Sequence, residues 1–169
     1  MENLKQYRDR CYINSLLCEG SYNFFNMINN IFLFPTILGS SILTCLNSSD
    51  VDTEKIKYIN IIINGAITII LAITTQYKIH DRISMFKSYQ TKYIKLTHHI
   101  ENIINNFKDK EIPNEEIINI VNKYDNLVDE LPFTFPNHIR TKIIKKYQNS
   151  NITLPYSLVL DTSVVIINP

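Results

Sequence analysis

Four histidines, three cysteines and a scatter of carboxylates are the groups in this 169-residue chain that could do metal or covalent chemistry. His98, His99 and Glu101 form the densest cluster, with His80-Asp81 upstream. On a helix His98 and Glu101 share one face, a spacing that orients an imidazole, whereas adjacent His98 and His99 point to different faces. A metal site needs further ligands that the spacing does not place. Cys11, Cys18 and Cys45 form no CxxC pair and are odd in number, which indicates neither a disulfide framework nor a zinc ribbon. They read as small apolar fillers. No Gly-rich phosphate loop, nucleophile elbow or HExxH helix occurs, and three glycines leave little material for a phosphate-cradling turn. No catalytic, cofactor-binding or metal-binding residue is assigned, and the chain is read as non-enzymatic.

The remaining chemistry is that of polar groups in an apolar setting. Thr36, Ser40 and Thr44 recur at four-residue steps beside Gly39, a small-residue stripe that lets another helix approach closely. Asn60, Asn64 and Thr68, continued by Ala72 and Thr75, form a second such face in an Ile-rich stretch. Polar atoms left in lipid without partners are costly. Two readings stand for these six candidates, Thr36, Ser40, Thr44, Asn60, Asn64 and Thr68. They are the contact between two helices, or they line a water-filled path in an oligomer.

The elements that carry these stripes are two uncharged segments. No charged side chain occurs between Glu19 and Asp50, and none between Lys57 and Lys78. About 20 helical residues rise roughly 30 Å, the hydrocarbon thickness of a bilayer. The expected fold is therefore an all-α membrane protein: a two-transmembrane helical hairpin with an N-terminal amphipathic helix and a cytosolic helical extension. Residues 1–23 form the amphipathic helix, 24–77 the hairpin with spans of about 24–46 and 58–77, 78–148 the helical region and 149–169 a tail. Pro35 predicts a kink, or the point where an interfacial helix turns into the bilayer. The connector, Asn47–Lys57, suits a turn and an N-cap.

Net charge is +1 and no basic block is interleaved with aromatic residues, so nucleic-acid binding is not expected. Met1–Ser21 carries Glu2, Asp9 and Glu19 and is no secretory signal; the first apolar helix must direct insertion. Lys5, Arg8 and Arg10 precede the first span, and Lys78, Arg82, Lys87, Lys92 and Lys95 follow the second, against only Lys55 and Lys57 in the connector. The positive-inside rule then places both termini in the cytosol. The abundance of Ile, Asn and Lys, with A/T-rich codons, hints at an A/T-rich genome such as that of some viruses, protists or bacteria.

Flanking the hairpin, Leu4, Tyr7, Cys11, Ser15 and Cys18 make an amphipathic stripe, which either packs on the C-terminal part of the chain or lies in headgroups. The pattern from Ile79 to Phe107 predicts a long helix, with Tyr89 or Gln90 on its apolar face. Its antiparallel partner follows Pro113, with Asn114 as N-cap. Leu131–Pro136 is extended, and Asn137–Tyr147 is a basic helix that lies on an anionic leaflet or packs back on the preceding helices. The β-branched tail from Ile152 either adds an isolated strand or stays loose.

Arg10-Cys11-Tyr12, Tyr22 and Asn26 ahead of Pro35-Thr36-Ile37-Leu38-Gly39, Tyr93-Ile94-Lys95-Leu96, and the Leu131–Pro136 break together resemble the SLATT family over Tyr7 to Tyr147. These are small two-transmembrane effectors that accompany nucleotide-second-messenger and related conflict systems in bacteria, with stand-alone relatives in eukaryotes and large DNA viruses. The resemblance implies a membrane-perturbing or pore-forming homo-oligomer, with cytosolic helices that receive a signal, assemble subunits or bind a protein partner. It transfers no catalytic residue and no cofactor. No sensor domain is recognisable beside the hairpin, which leaves open a second role as a membrane anchor or virion-associated structural protein, in a host-cell or virion membrane.

Overall fold

The computed structural model describes residues 1–48, 53–107 and 111–158, and among them every regular element is helical. Five helices follow in order: α1 (Glu2–Asn47), α2 (Thr53–Gln76), α3 (Ile79–Asn106), α4 (Asn114–Asp129) and α5 (Asn137–Tyr147). Two of the helical stretches are long and apolar enough to cross a membrane. The chain divides into two compact units, one made of Met1–Tyr22 with Ser84–Pro169 and the other of Asn23–Ile83.

In the first unit the start of α1 is buried on one side by Leu4, Cys11, Ile13, Leu17 and Cys18. From α3 come Phe86, Tyr89, Tyr93, Leu96, Ile100 and Ile103, repeating at three and four residues as an amphipathic helix must. Tyr89, not Gln90, is the buried member of the expected pair. α4 adds Ile120 and Tyr124, and α5 adds Ile143. Each fully buried aliphatic or aromatic side chain contributes about 1.5–3 kcal/mol relative to exposure, against the entropy lost in ordering the chain.

Several local expectations resolve here. The start of α1 packs on the C-terminal part of the chain: Tyr7 of the expected stripe meets the Tyr124 ring edge-on, and Ile13 and Leu17, outside that stripe, share a cluster with Ile143 and Leu158, against which Ile139 and Tyr147 pack. The basic helix α5 is thus held by its apolar face on the protein. The N-cap of α4 is Pro113 with no side-chain cap, and Asn114 is its first helical residue. Proline supplies the fixed φ that a helix start needs, and the missing N–H costs nothing there. Leu131–Pro136 is irregular, as expected before prolines. In the tail, Pro155 and Leu158 are buried and residues 156–158 are helical, so this part is neither strand nor loose; 159–169 lie outside the described residues. The Thr153 amide donates to Asp9 Oδ2 at 3.3 Å, tying the tail to α1.

In the second unit α1 continues helical through Pro35 to Asn47, and α2 begins at Thr53, inside the polar connector. Connector residues 49–52 lie outside the described residues. α2 ends in a turn at Tyr77-Lys78, where Lys78 takes a left-handed φ of 48°. The Tyr77 and Lys78 amides donate to Ile73 and Thr75 carbonyls at 3.0 Å each, satisfying the last turn of the helix.

Candidate functional site

The hairpin of the second unit is built on a seam with alternating three- and four-residue steps. On α1 the less exposed positions are Phe32, Thr36, Gly39, Leu43 and Leu46; on α2 they are Ile56, Asn60, Ile63, Ile67, Ile70 and Thr74. That is the period that keeps two helices facing each other along their length. The two helices approach closely at Gly39, where an added Cβ would lie 3.1 Å from Ile63 Cγ2 and 3.4 Å from Ile67 Cδ1.

A run of strict four-residue steps advances 400° per step and so drifts about 40° off any fixed face. The six candidates therefore divide. Thr36 and Asn60 lie on the seam, half-buried, while Ser40, Thr44, Asn64 and Thr68 are exposed. The hydroxyls of Thr36, Ser40 and Thr44 donate to the carbonyls of Phe32, Thr36 and Ser40, each at 2.9 Å, and Thr68 donates to Asn64 O at 2.7 Å. Among the described residues no hydrogen bond joins Thr36, Ser40 or Thr44 to Asn60, Asn64 or Thr68. The hydroxyl groups are satisfied by their own helix.

Among the described residues, Asn60 makes the one polar link between the two helices that involves a candidate. Its Nδ2 donates to Asn47 Oδ1 at 2.8 Å, and its own Oδ1 is shielded without a partner. Asn47, the last residue of α1, was not among the six. Its position at the end of the first uncharged segment, ahead of the polar connector and the first polar residue of the second segment, is the available signal. Cys45 is exposed, unlike the buried fillers Cys11 and Cys18.

The buried thiols and phenols lie in the first unit. Burial pushes the Cys11 and Cys18 thiols up to about 12, so they are protonated packing groups near neutrality. Burial likewise raises the Tyr93 phenol, and raises Tyr124 to about 12 against the opposing hydrogen bond from Asn14, at 3.4 Å. These rings line a cavity of about 490 Å³ with Phe133, Phe135, Arg140 and Tyr156. Arg10 is 7% exposed, with its guanidinium carbon 4.2 Å from the Tyr156 ring centroid and its Nε unpartnered. His98 Nδ1 lies 3.4 Å from Glu101 Oε2 on the exposed side of α3, while His99 turns to a different face. His80 and Asp81 are both exposed. Among the described residues no three His, Cys, Asp or Glu side chains gather as a metal site would require.

Comparison of the chain with protein-family profiles, characterised proteins and solved structures finds no match.

Proposed function

We propose that this chain is a small integral membrane protein whose hairpin crosses a bilayer with spans of about 24–46 and 58–77 and both termini in the cytosol. Copies of it assemble into a pore or otherwise perturb the membrane, the role that the resemblance to SLATT effectors implies. The observation that carries this reading is apolar surface left uncovered. In the two candidate spans the apolar 18-residue window is only 6% and 0% buried. Phe34 is 66% exposed and Ile62 70% exposed. An apolar surface of this extent in water would drive aggregation, whereas lipid covers it at no cost. Composition agrees, since Ile-rich α2 is an unremarkable helix former in water, but a bilayer forces any spanning segment into closed hydrogen-bonded helices.

The pore form of the reading is supported by Asn64 and Thr68, which stand off the hairpin seam and are left for a neighbouring copy or for water. A second reading, a non-enzymatic membrane anchor or virion-associated structural protein, is supported by the hydroxyls of Thr36, Ser40, Thr44 and Thr68. Bonded to their own helices, these groups need no aqueous path.

Reconstitution separates the readings. In a cysteine-free background, cysteine labels at Ser49 should react only from outside and labels at Asn106 only from the cytosol; full solubility of the purified chain without detergent would overturn the membrane reading altogether. Crosslinking in native membranes should trap homo-oligomers. In liposomes the parent chain should leak ions, and Asn64→Leu should abolish the leak while preserving insertion and oligomer size, because an apolar constriction dewets. A monomer without leak leaves the anchor reading.

A further inference from the structure

Outside the hairpin, two helix faces with matched spacing enclose a basic groove. Lys92, Lys95, Leu96 and His99 follow one face of α3 at positions i, i+3, i+4 and i+7, and Lys123, Leu127 and Glu130 follow α4 into its C-terminal cap at i, i+4 and i+7. Together they line a groove of about 370 Å³. Its two ends differ in charge. At one end Lys92 Nζ lies 3.6 Å from Glu130 Oε2 and 4.4 Å from the Tyr89 ring centroid, so this cation is already engaged. Tyr89 meets Glu130 and Tyr93 meets Tyr124, so α3 and α4 run antiparallel and Lys123 lies toward the His99 end. Among the described residues no ion pair holds Lys95 or Lys123. His99 Nε2 is shielded from solvent and has no hydrogen-bond partner. A buried polar atom in that state costs about 1–3 kcal/mol, which an oxygen ligand would offset once the imidazole turns into the groove.

We propose that this groove binds the phosphate group of an organic phosphate monoester, with the dianion between Lys95, Lys123 and the His99 imidazole and the carbon body over Leu96 and Leu127. The charge count selects the ligand: Lys92, Lys95 and Lys123 against Glu130 leave +2, which matches a dianionic monoester. Lysine serves such a site as a mobile point charge, and the imidazole adds directionality. The apolar floor favours a phosphate with a carbon substituent over inorganic phosphate.

Calorimetric titration of the full chain in detergent micelles tests this with phenyl phosphate, inorganic phosphate and phenol as probes. Phenyl phosphate should bind saturably and more tightly than inorganic phosphate, with phenol silent. Lys123→Glu and Lys95→Glu should each weaken phenyl phosphate about tenfold or more. His99→Leu should weaken it about fivefold. Lys145→Glu on α5, the same charge change elsewhere, should leave binding unchanged. Helical content by circular dichroism identifies any variant that has lost its fold, and Lys123→Gln then replaces it. Soluble dihexanoyl phosphatidic acid, a monoester, is compared with dihexanoyl phosphatidylcholine, a diester. Preference for phosphatidic acid over phenyl phosphate assigns the site to a lipid headgroup, and the reverse assigns it to a soluble metabolite; either supports the site. No saturable binding of any monoester, or equal weakening by Lys145→Glu, overturns it. None of these outcomes depends on whether the hairpin conducts ions.

Discussion

Gly39 of α1 faces Ile63 of α2 so closely that an added Cβ would sit 3.1 Å from Ile63 Cγ2. The neighbour is the short, stiff branch of an isoleucine, which can give by a few tenths of an ångström for a methyl group but not for a branched side chain. Gly39→Ala should therefore cost less than about 1 kcal/mol and Gly39→Val about 1–3 kcal/mol of hairpin stability. Gly65 on α2, beside open space, is the control: Gly65→Ala should be neutral or stabilising. Denaturant-induced unfolding in mixed micelles gives the ranking, and equal effects at the two glycines would contradict a seam at Gly39.

Gly20 makes a second tight approach, in the first unit. A Cβ there would fall 2.8 Å from Ile139 Cγ2, so Gly20→Ala forces α5 to shift and should cost about 1–3 kcal/mol. Ile139→Val should not rescue it, because valine keeps the offending Cγ2, whereas Ile139→Ala should recover part of the loss. A double-mutant cycle read by thermal unfolding measures the coupling, and strict additivity would show that the two residues do not meet.

Lys78 holds a left-handed backbone between α2 and α3, a conformation that costs a side-chain-bearing residue roughly 1–2 kcal/mol. Lys78→Gly should relieve this, offset in part by the extra freedom of the unfolded chain, for a net gain of about 0.5–1 kcal/mol. Lys78→Ala, which removes the same charge, should give no gain. The comparison by unfolding midpoint isolates the backbone term from electrostatics.

The buried thiols and phenols set an alkaline limit. Cys11 and Cys18 ionise at about 12 in the folded chain, against an ordinary value of 9.0, and Tyr124 at about 12 against 10.0. Each folded value is raised, so the native state holds protons that the unfolded chain releases. The contribution to stability is intact below pH 9 and declines as pH rises toward 12. At its steepest the loss is about 1.4 kcal/mol per pH unit for each group. Cys11→Ala should flatten the upper part of the curve. In the folded chain at neutral pH a maleimide should label Cys45, which is exposed, far faster than Cys11 or Cys18. Rapid labelling of all three would place the thiols outside a core.

Residue type and spacing alone determined the helices of this chain. Two uncharged runs and the three-four pattern of Phe86, Tyr93, Leu96 and Ile100 leave few other ways to hide apolar side chains. Pro132 and Pro136 bar helix between α4 and α5 because of what they do to the residues before them. These are local constraints, readable wherever they occur. What faces what is a different matter, since a helix pattern indicates which side is apolar but not which surface covers it. Only tertiary structure placed Ile13 and Leu17 of α1 against Ile143 and Leu158, more than a hundred residues away, and brought His99 into a groove that Lys123 also lines, whereas the contact of His98 with Glu101 is already implied by their three-residue spacing. The polar stripes show the limit most clearly. Asn60, Asn64 and Thr68 look like one face in four-residue steps, yet packing against a second helix selects alternating three- and four-residue steps, because only that period keeps two helices in register. The seam therefore retained Asn60 and passed over Asn64 and Thr68.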